Sequence, residues 1–447
     1  MANHNQVDAV QQHSGKAITE IEVGGFKSIV RSQALQVTPL TVLAGANSSG
    51  KSSFVQPVLL LKQTLEASYD PGPLLLDGPN VKFTSGDQLI SKIPKTSRLD
   101  TFRVALRTQS GFRVETAFRW HSGQGFEILD MEWYRGKKLG SFRLRPELTG
   151  AELDTAIPPN IKHWVGAKSS KEEVLRWKVA RNRCFLELQL FVHDHEDHLR
   201  SIFPLGGTVS NQIQELVHVP GLRGNPSRTY GVTAVESVFP GAFESYVASL
   251  VLHWQAHETA ELSQLEDALE QLELTSMVKA TSIADTRVEL HVGRLAHGAR
   301  GDALDLVSIA DVGFGVSQAL PVLVALIAAR PGQTVYIEQP ELHLHPRAQR
   351  GLARLLADAA SRGVVVIAET HSSLLIRGIQ TLVARGELDP KLVKLHWFTR
   401  SAEDGATTVT SADLDENGAF GDWPMDFDDV ELRSTGDYLD AVELRGK

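Results

Sequence analysis

The 447 residues are 42% hydrophobic and 22% charged, an ordinary globular balance with length enough for two or three hydrophobic cores. The longest uninterrupted apolar run, Ala319 to Ala329, is too short for a membrane-crossing helix, and a single cysteine, Cys184, excludes an internal disulfide or a thiolate zinc cluster within one chain. A net charge of −9 excludes a generally nucleic-acid-binding surface, although 12 Lys/Arg against 5 Asp/Glu make Arg135 to Arg183 basic and 13 acids against 3 bases make Glu403 to Lys447 acidic.

Met1 to Ala17 is polar, without a hydrophobic signal core or an Arg-rich transit pattern, and reads as a loose tail of a cytoplasmic protein. Ile18 to Phe26 and Leu35 to Leu43 have strand length and apolar content, and a helix from Lys51 to about Leu65 follows a Gly/Asn/Ser-rich turn. Period-two alternation from Thr101 to Arg145 predicts antiparallel hairpins. A mixed, largely helical region is expected from about Lys162 to Leu274, where Leu262, Leu265, Leu269 and Leu272 give a two-heptad face for a helical hairpin. The last third returns to a βαβ rhythm: Val335 to Ile337, a helix after Pro346, Val364 to Ala368, a helix from Ser372 and a strand near Leu392 to Phe398.

Four segments carry chemistry. Gly45-Ala46-Asn47-Ser48-Ser49-Gly50-Lys51-Ser52 matches G-x-x-x-x-G-K-S between a strand and a helix. Its glycines let successive N–H groups and the helix N-terminus face phosphates; Lys51 reaches the β/γ oxygens, Ser52 is set to ligate Mg²⁺, and Ser53 is a second donor. The second segment, Thr334 to Glu341, is an apolar strand ending in acids. Its Glu338 would lie at the C-terminal edge of a sheet, where a metal ion offsets its desolvation. Gln339 follows, and a neutral amide orients water but takes no proton; either Glu341 acts as base, hydrolysis is slow, or binding alone is the working step. In the third, Val365 to Ser372, His371 sits at a strand tip within reach of a γ-phosphate. The fourth, Asp311 to Gln318, places Gly313, Gly315, Ser317 and Gln318 at the start of an apolar helix, a second anion cradle. One phosphate group does not need two cradles from one chain, so the second is expected to serve ATP bound to a partner copy.

These four elements, in this order, resemble ABC-type ATPases of the chromosome-maintenance, RecF and OLD kind, over roughly 200 residues. In finer detail Phe26-Lys27-Ser28, Asn47 to Ser53, Gly313 to Gln318, Glu338 to Pro346 and Glu369 to Ser372 look like a bacterial predicted-ATPase family with a short C-terminal domain, here around Trp423-Pro424. Relatives of that family include ATPase subunits of anti-phage systems such as Septu, PARIS and some retrons. The resemblance implies an α/β fold: a split ABC-type head, a P-loop NTPase, with an inserted α+β arm or lid. The expected division is 1–17 tail, 18–100 N-lobe, 101–284 insert, 285–400 C-lobe and 401–447 acidic segment. It further implies ATP and Mg²⁺ as ligands, with Gly45, Asn47, Ser48, Ser49, Gly50, Lys51, Ser52, Ser53 and a Q-loop candidate, Gln88, at the nucleotide. A homodimer or higher homo-oligomer is implied, acting as a nucleotide-driven clamp on a separate effector, a nuclease, with nucleic acid a further candidate partner and no membrane. The alternative is a DNA repair or recombination ATPase of the RecF/SMC kind, whose arms are far longer than two heptads; a transporter ATPase, with its contiguous head, is third. The signature departs from the usual Leu-Ser-Gly-Gly-Gln, reading Phe314-Gly315-Val316-Ser317-Gln318.

Other features have plainer readings. His193-x-His195-x-Asp197-His198 has the spacing of metallo-β-lactamase-like hydrolases, but the insert lacks room for that sandwich and an exposed polar turn is expected. His343 and His345 flank Leu344 in the segment that the resemblance places across the dimer interface. Pro220 to Arg228 is a turn-rich loop whose two arginines suit either a phosphate contact or a lid over the core.

Overall fold

The computed structural model describes residues 17–92, 99–135, 141–159, 162, 174–193, 197–294 and 305–421. In chain order, β1 (Ile18–Gly24), β2 (Gln33–Gln36) and β3 (Leu40–Gly45) lead into α1 (Lys51–Glu66), followed by β4 (Thr101–Thr108), β5 (Phe112–His121), β6 (Gly125–Arg135), β7 (Ser141–Leu144) and α2 (Gly150–Ala156). Then come β8 (Val174–Asn182), β9 (Phe185–His193), β10 (Asp197–Phe203), α3 (Gly207–Glu215), β11 (Val217–Val219), β12 (Tyr230–Gly231), α4 (Val247–Ala256) and α5 (Ala260–Gln271). The remainder holds β13 (Val278–Ala284), β14 (Arg287–Gly293), β15 (Leu306–Ser308), α6 (Phe314–Ala328), β16 (Thr334–Glu338), α7 (Pro346–Ser361), β17 (Val365–Thr370), α8 (Ser373–Ala384), β18 (Val393–Arg400) and β19 (Thr407–Asp413).

The sheet that matters for chemistry runs β11-β16-β17-β3-β18-β19, parallel throughout except for the β18–β19 edge. Its inner strands are apolar on both faces, as a sheet covered on both sides must be. Leu40, Val42, Ala44, Val335, Ile337, Val366 and Ala368 face one core with α4 to α8, whereas Leu43, Tyr336, Val365, Ile367 and Phe398 face a second core with α1 and the first sheet. All four inner strands therefore end at one edge of the sheet, and that edge receives the motif residues. Together with the loop at β3–α1, this is an α/β architecture in which a parallel sheet carries the phosphate-loop motif at its strand ends.

Several boundaries differ from those read in the sequence. Leu35 to Leu43 is not one strand: Pro39, which cannot donate to a ladder, separates β2 from β3, and the two join different sheets. The hairpins β4 to β7 do not start an insert at 101, because β4 pairs with β1 in the six-stranded sheet β2-β1-β4-β5-β6-β7. Strands β8, β9 and β10 form a three-stranded antiparallel sheet within the region expected to be mixed and largely helical. The leucine face belongs to one helix, α5, with Leu265, Leu269 and Leu272 buried in the C-terminal core. β11 pairs with β16, so the head resumes near residue 217 and not at 285. Nor does it end at 400, since β19 completes the sheet. Residues 194–196, Trp423 and Pro424 lie outside the described residues. Among those described, no helix is long and apolar enough to cross a membrane.

Two buried polar contacts fasten the layers. Lys62 on α1 is fully buried, with Nζ donating to Glu66 Oε1 at 2.5 Å and to the Gln214 carbonyl at 3.0 Å, while Glu66 Oε2 accepts from Gly241 N at 2.9 Å. Replacing Lys62 with Ala strands a buried carboxylate, and the expected loss, on the order of 3 kcal/mol by urea denaturation, should be partly recovered in the Lys62→Ala, Glu66→Ala double variant. His396 on β18 is buried between Ser411 Oγ and the Gln36 carbonyl, each at 2.7 Å. Burial pushes its pKa down from 6.5 to about 4. The unfolded chain thus binds a proton that the fold refuses. The stability of the neutral ring is fully present above pH 6.5 and is lost as pH falls towards 4. Across that window the thermal midpoint of the wild type should drop more than that of His396→Gln.

Candidate functional site: a phosphate-loop cavity

The loop between β3 and α1 has the backbone that its sequence requires. Gly45 and Gly50 have φ of 144° and 106°, and Ser48 is left-handed at 60°, conformations in which glycine is least strained. A Cβ at Gly50 would stand 2.4 Å from Thr407 Oγ1. α1 has no side-chain cap and no acid in its first turn, so its leading N–H groups are free to meet an anion. Lys51 is buried, and its Nζ donates to the Gly45 and Ala46 carbonyls at 3.0 and 2.9 Å. Burial lowers its pKa, opposed by the charges of Glu369 and Glu341. The Ser49 hydroxyl is buried without a partner, a donor left over in the loop.

A cavity of about 890 Å³ opens on this loop, of the size of a cofactor site. Asn47, Ser48, Ser49, Gly50, Lys51, Ser52, Ser53, Gln88, Gln339 and His371 all line it. Gln88 sits at the rim with its amide engaged by Thr84 N at 3.0 Å and Thr84 Oγ1 at 3.1 Å. Gln339 has φ of 45° and donates its N–H to the Glu369 carbonyl at 2.8 Å. The His371 pKa is lowered first by burial and then by Lys51, against a hydrogen bond with the Gly45 backbone, so a neutral ring faces the cavity near pH 7.

Of the two acids from the second segment, Glu338 ends β16 at the C-terminal edge of the sheet as expected, but neither it nor Glu341 lines the cavity. Glu338 Oε1 lies 3.2 Å from His218 Nε2 and Oε2 accepts from Gly221 N at 3.2 Å, so both oxygens turn towards the loop after β11. Despite its burial, these partners hold the Glu338 pKa below the usual value. Glu341 stands behind the β17 turn, its Oε1 accepting from Thr370 Oγ1 at 2.7 Å and from His371 N at 2.9 Å. That contact places His371, and the buried Oε2 has no partner.

Of the fourth segment, Gly313 and Phe314 are exposed at the start of α6, whereas Ser317 and Gln318 are buried. The Ser317 hydroxyl donates to the Phe314 carbonyl at 3.2 Å, and Gln318 Nε2 donates to the Gly224 carbonyl at 3.3 Å. Ser317 and Gln318 therefore bond within and behind α6, and Ser317 also lines a cavity of about 510 Å³ with Arg223 and Gly224. At the helix start Gly313 and Phe314 are exposed and Gly315 is half-buried. The loop around Arg223 braces α6. The guanidinium, 7% exposed, donates to the carbonyls of Gln318 at 3.1 Å, Glu338 at 2.8 Å and Gln339 at 3.3 Å. Arg228 pairs at the surface with Asp311 at 2.7 Å. His343 packs on Phe314, with ring centroids 5.6 Å apart, and His345 caps α7 through Arg347 N at 3.4 Å. Among the described residues no group of three or more His, Cys, Asp or Glu is gathered as a metal cluster.

Several cavity residues were given no role in the sequence reading, Lys27 and Glu369 lying inside quoted motifs and Arg400 and Asp404 outside them. Lys27, in the Phe-Lys-Ser triplet, has its pKa pushed down by burial to about 8, with Nζ 2.6 Å from Gln56 Oε1 and 4.5 Å from the Phe83 ring centroid. Arg400 and Asp404, on the β18–β19 turn, close another wall, and Glu369 lies beside Ser52. The Glu-Thr-His triplet and the second sign of a buried strand ending in an acid were the available signals for Glu369.

Residues 234–377 match the family model described as "AAA domain, putative AbiEii toxin, Type IV TA system". No curated protein matches the chain in sequence. Among solved structures, an SMC head bound to the C-winged helix domain of ScpA shares 11% identity at a TM-score of 0.46, covering 90% of this chain and 98% of that one. The SMC head domain from Thermotoga maritima gives 11% and 0.42, with 88% and 98% covered. The Pyrococcus furiosus SMC head with an extended coiled coil, bound to the C-terminal domain of ScpA, gives 11% and 0.42, with 96% and 99% covered.

Arg223→Ala would leave three carbonyls in the wall between α6 and β16 without their donor. Loss of about 2–4 kcal/mol of stability is expected, read as a lower denaturant midpoint, with Arg223→Lys recovering only part because an ammonium lacks the planar fork.

Proposed function

We propose that this chain binds and hydrolyses ATP with Mg²⁺ in the phosphate-loop cavity, and that the exposed start of α6 completes the site of a second copy. The observation that carries this reading is the separation of two Gly-rich helix starts. Residues 47–53 line the cavity, while Gly313, Phe314 and Gly315 line no part of it and lie at the start of another helix. A cradle that its own chain does not use is explained by head-to-head assembly, in which each copy supplies what the other lacks.

The chain's own residues then have defined tasks. Free N–H groups of α1 and the Ser49 hydroxyl meet phosphate oxygens, and Lys51 exchanges its two loop carbonyls for them. Mg²⁺, when bound, neutralises charge on the β and γ oxygens; Ser52 and a strand-end acid are oxygen donors of the kind it prefers. Gln339 orients the attacking water, and neutral His371, placed by Glu341, faces the γ-phosphate. With Gln339 unable to take a proton, turnover is slow. As a whole the molecule is read as a nucleotide-driven clamp governing a separate effector, a nuclease of a bacterial anti-phage defence complex. The toxin system named in the matched family's description supports that finer reading.

Shared sites give a specific test. Lys51→Ala removes the phosphate contact, and Gly313→Arg blocks the outward cradle at a position where a Cβ meets nothing within 4 Å. Each alone should reduce ATP turnover to background. Mixed, the two dead chains should regain roughly a quarter of wild-type turnover if sites act independently, because one site per heterodimer combines an intact loop with an intact cradle. A mixture that stays inactive would contradict a shared site.

A further inference from the structure

Two acids lie side by side near the C-terminal ends of adjacent strands, and only Glu369 lines the cavity beside Ser52. In the parallel sheet Glu338 on β16 is in register with Glu369 on β17, and Glu369 in turn with Leu43 on β3, the strand that runs into the phosphate loop. Strands are about 4.8 Å apart, so Glu338 starts one strand further from the loop. The side chains follow that order. Ser52 Oγ donates to Glu369 Oε1 at 2.9 Å, and the fully buried Tyr336 hydroxyl donates to Glu369 Oε2 at 3.0 Å. Glu369 is 4% exposed, yet it lines the cavity together with Ser52.

Glu338 is held elsewhere by a chain of fixed donors. The Asn80 amide nitrogen donates to the Gly241 carbonyl and lies 3.1 Å from His218 Nδ1. That nitrogen of His218 is therefore the acceptor, and the proton sits on Nε2, which donates to Glu338. Stacking of the buried His218 ring on Tyr336, at 5.6 Å between centroids, fixes the donor's direction. The Gly221 N–H takes the other oxygen, so Glu338 ties the loop after β11 to the sheet.

We propose that Glu369, with Ser52, is the protein carboxylate for the divalent cation that accompanies the nucleotide, and that Glu338 is a strut. Both groups are hard oxygen donors, as Mg²⁺ requires. The proposal rests on the ATP-site reading of the cavity and gives the strand-end acids roles opposite to those that motif order assigns.

The test compares binding of fluorescent mant-ATP to the full chain in EDTA and in Mg²⁺, for wild type, Glu369→Gln, Glu369→Asp and Glu338→Gln. Wild type and Glu338→Gln should tighten by similar factors when Mg²⁺ replaces EDTA. Glu369→Gln should lose that tightening about tenfold or more, keeping its metal-free affinity within about twofold. Glu369→Asp, with the same charge and shorter reach, should retain part of the effect. It also serves as the readout should the amide variant fail to fold. Full Mg²⁺ tightening in either Glu369 variant, or its loss in Glu338→Gln alone, would overturn the assignment. Absence of mant-ATP binding to wild type in both conditions would instead remove the ATP-site reading beneath it.

Discussion

Hydrogen bonding between parallel strands β16, β17, β3 and β18 fixes where every other part of the molecule must go. Parallel register brings the C-terminal ends of these strands to one edge, and at that edge the chain turns from β3 into α1 with no side chain capping the helix start. A sheet apolar on both faces needs cover on both, which α1 with the first sheet and α4 to α8 supply. The cavity lies where that cover stops. Thr407, at the start of β19, touches Ser28 Oγ at 2.8 Å and the Ser49 carbonyl at 2.7 Å, so even the last strand is locked to the loop.

Polar groups inside this apolar frame form one connected set. Asn80, His218, Glu338 and Gly221 make one branch; Ser52, Glu369 and Tyr336 make the other; His218 and Tyr336 stack between them. Burial first, and then the neighbouring Glu338, raise the Glu369 pKa, whereas Glu338 keeps its charge through its donors. Two carboxylates side by side at a sheet edge are costly unless cations and donors offset them. Lys51 below and Arg223 beside them do so without forming a close ion pair, since both cations donate to backbone carbonyls. In the proposed function it is Lys51 that exchanges its loop carbonyls for phosphate oxygens with little rearrangement.

The sequence reading recovered what depends on local spacing. Gly45 to Ser52 announces its loop because the glycines and the helix start are contiguous, and alternation from Phe102 to Trp133 announces the hairpins because burial repeats every second residue. Strand order is not a local property. Nothing in Val365 to Thr370 says that β17 lies between β3 and β16, so the nearness of Glu369 to Ser52 was invisible while the acid of the better-known motif drew attention. Likewise β11 is three residues long, and its pairing with β16, which sets His218 against Glu338, comes from tertiary packing. The start of α6 was read as a cradle from its glycines, but the burial of Ser317 and Gln318 involves Arg223, some 95 residues away.

The account stands on phosphate being gripped by the backbone of the β3–α1 loop. The most direct measurement is a crystal structure with Mg²⁺ and a non-hydrolysable ATP analogue. The prediction is a triphosphate cradled by the N–H groups between residues 47 and 52, with Lys51 moved from the Gly45 and Ala46 carbonyls onto its oxygens. A nucleotide bound elsewhere, with Lys51 still on those carbonyls, would contradict it.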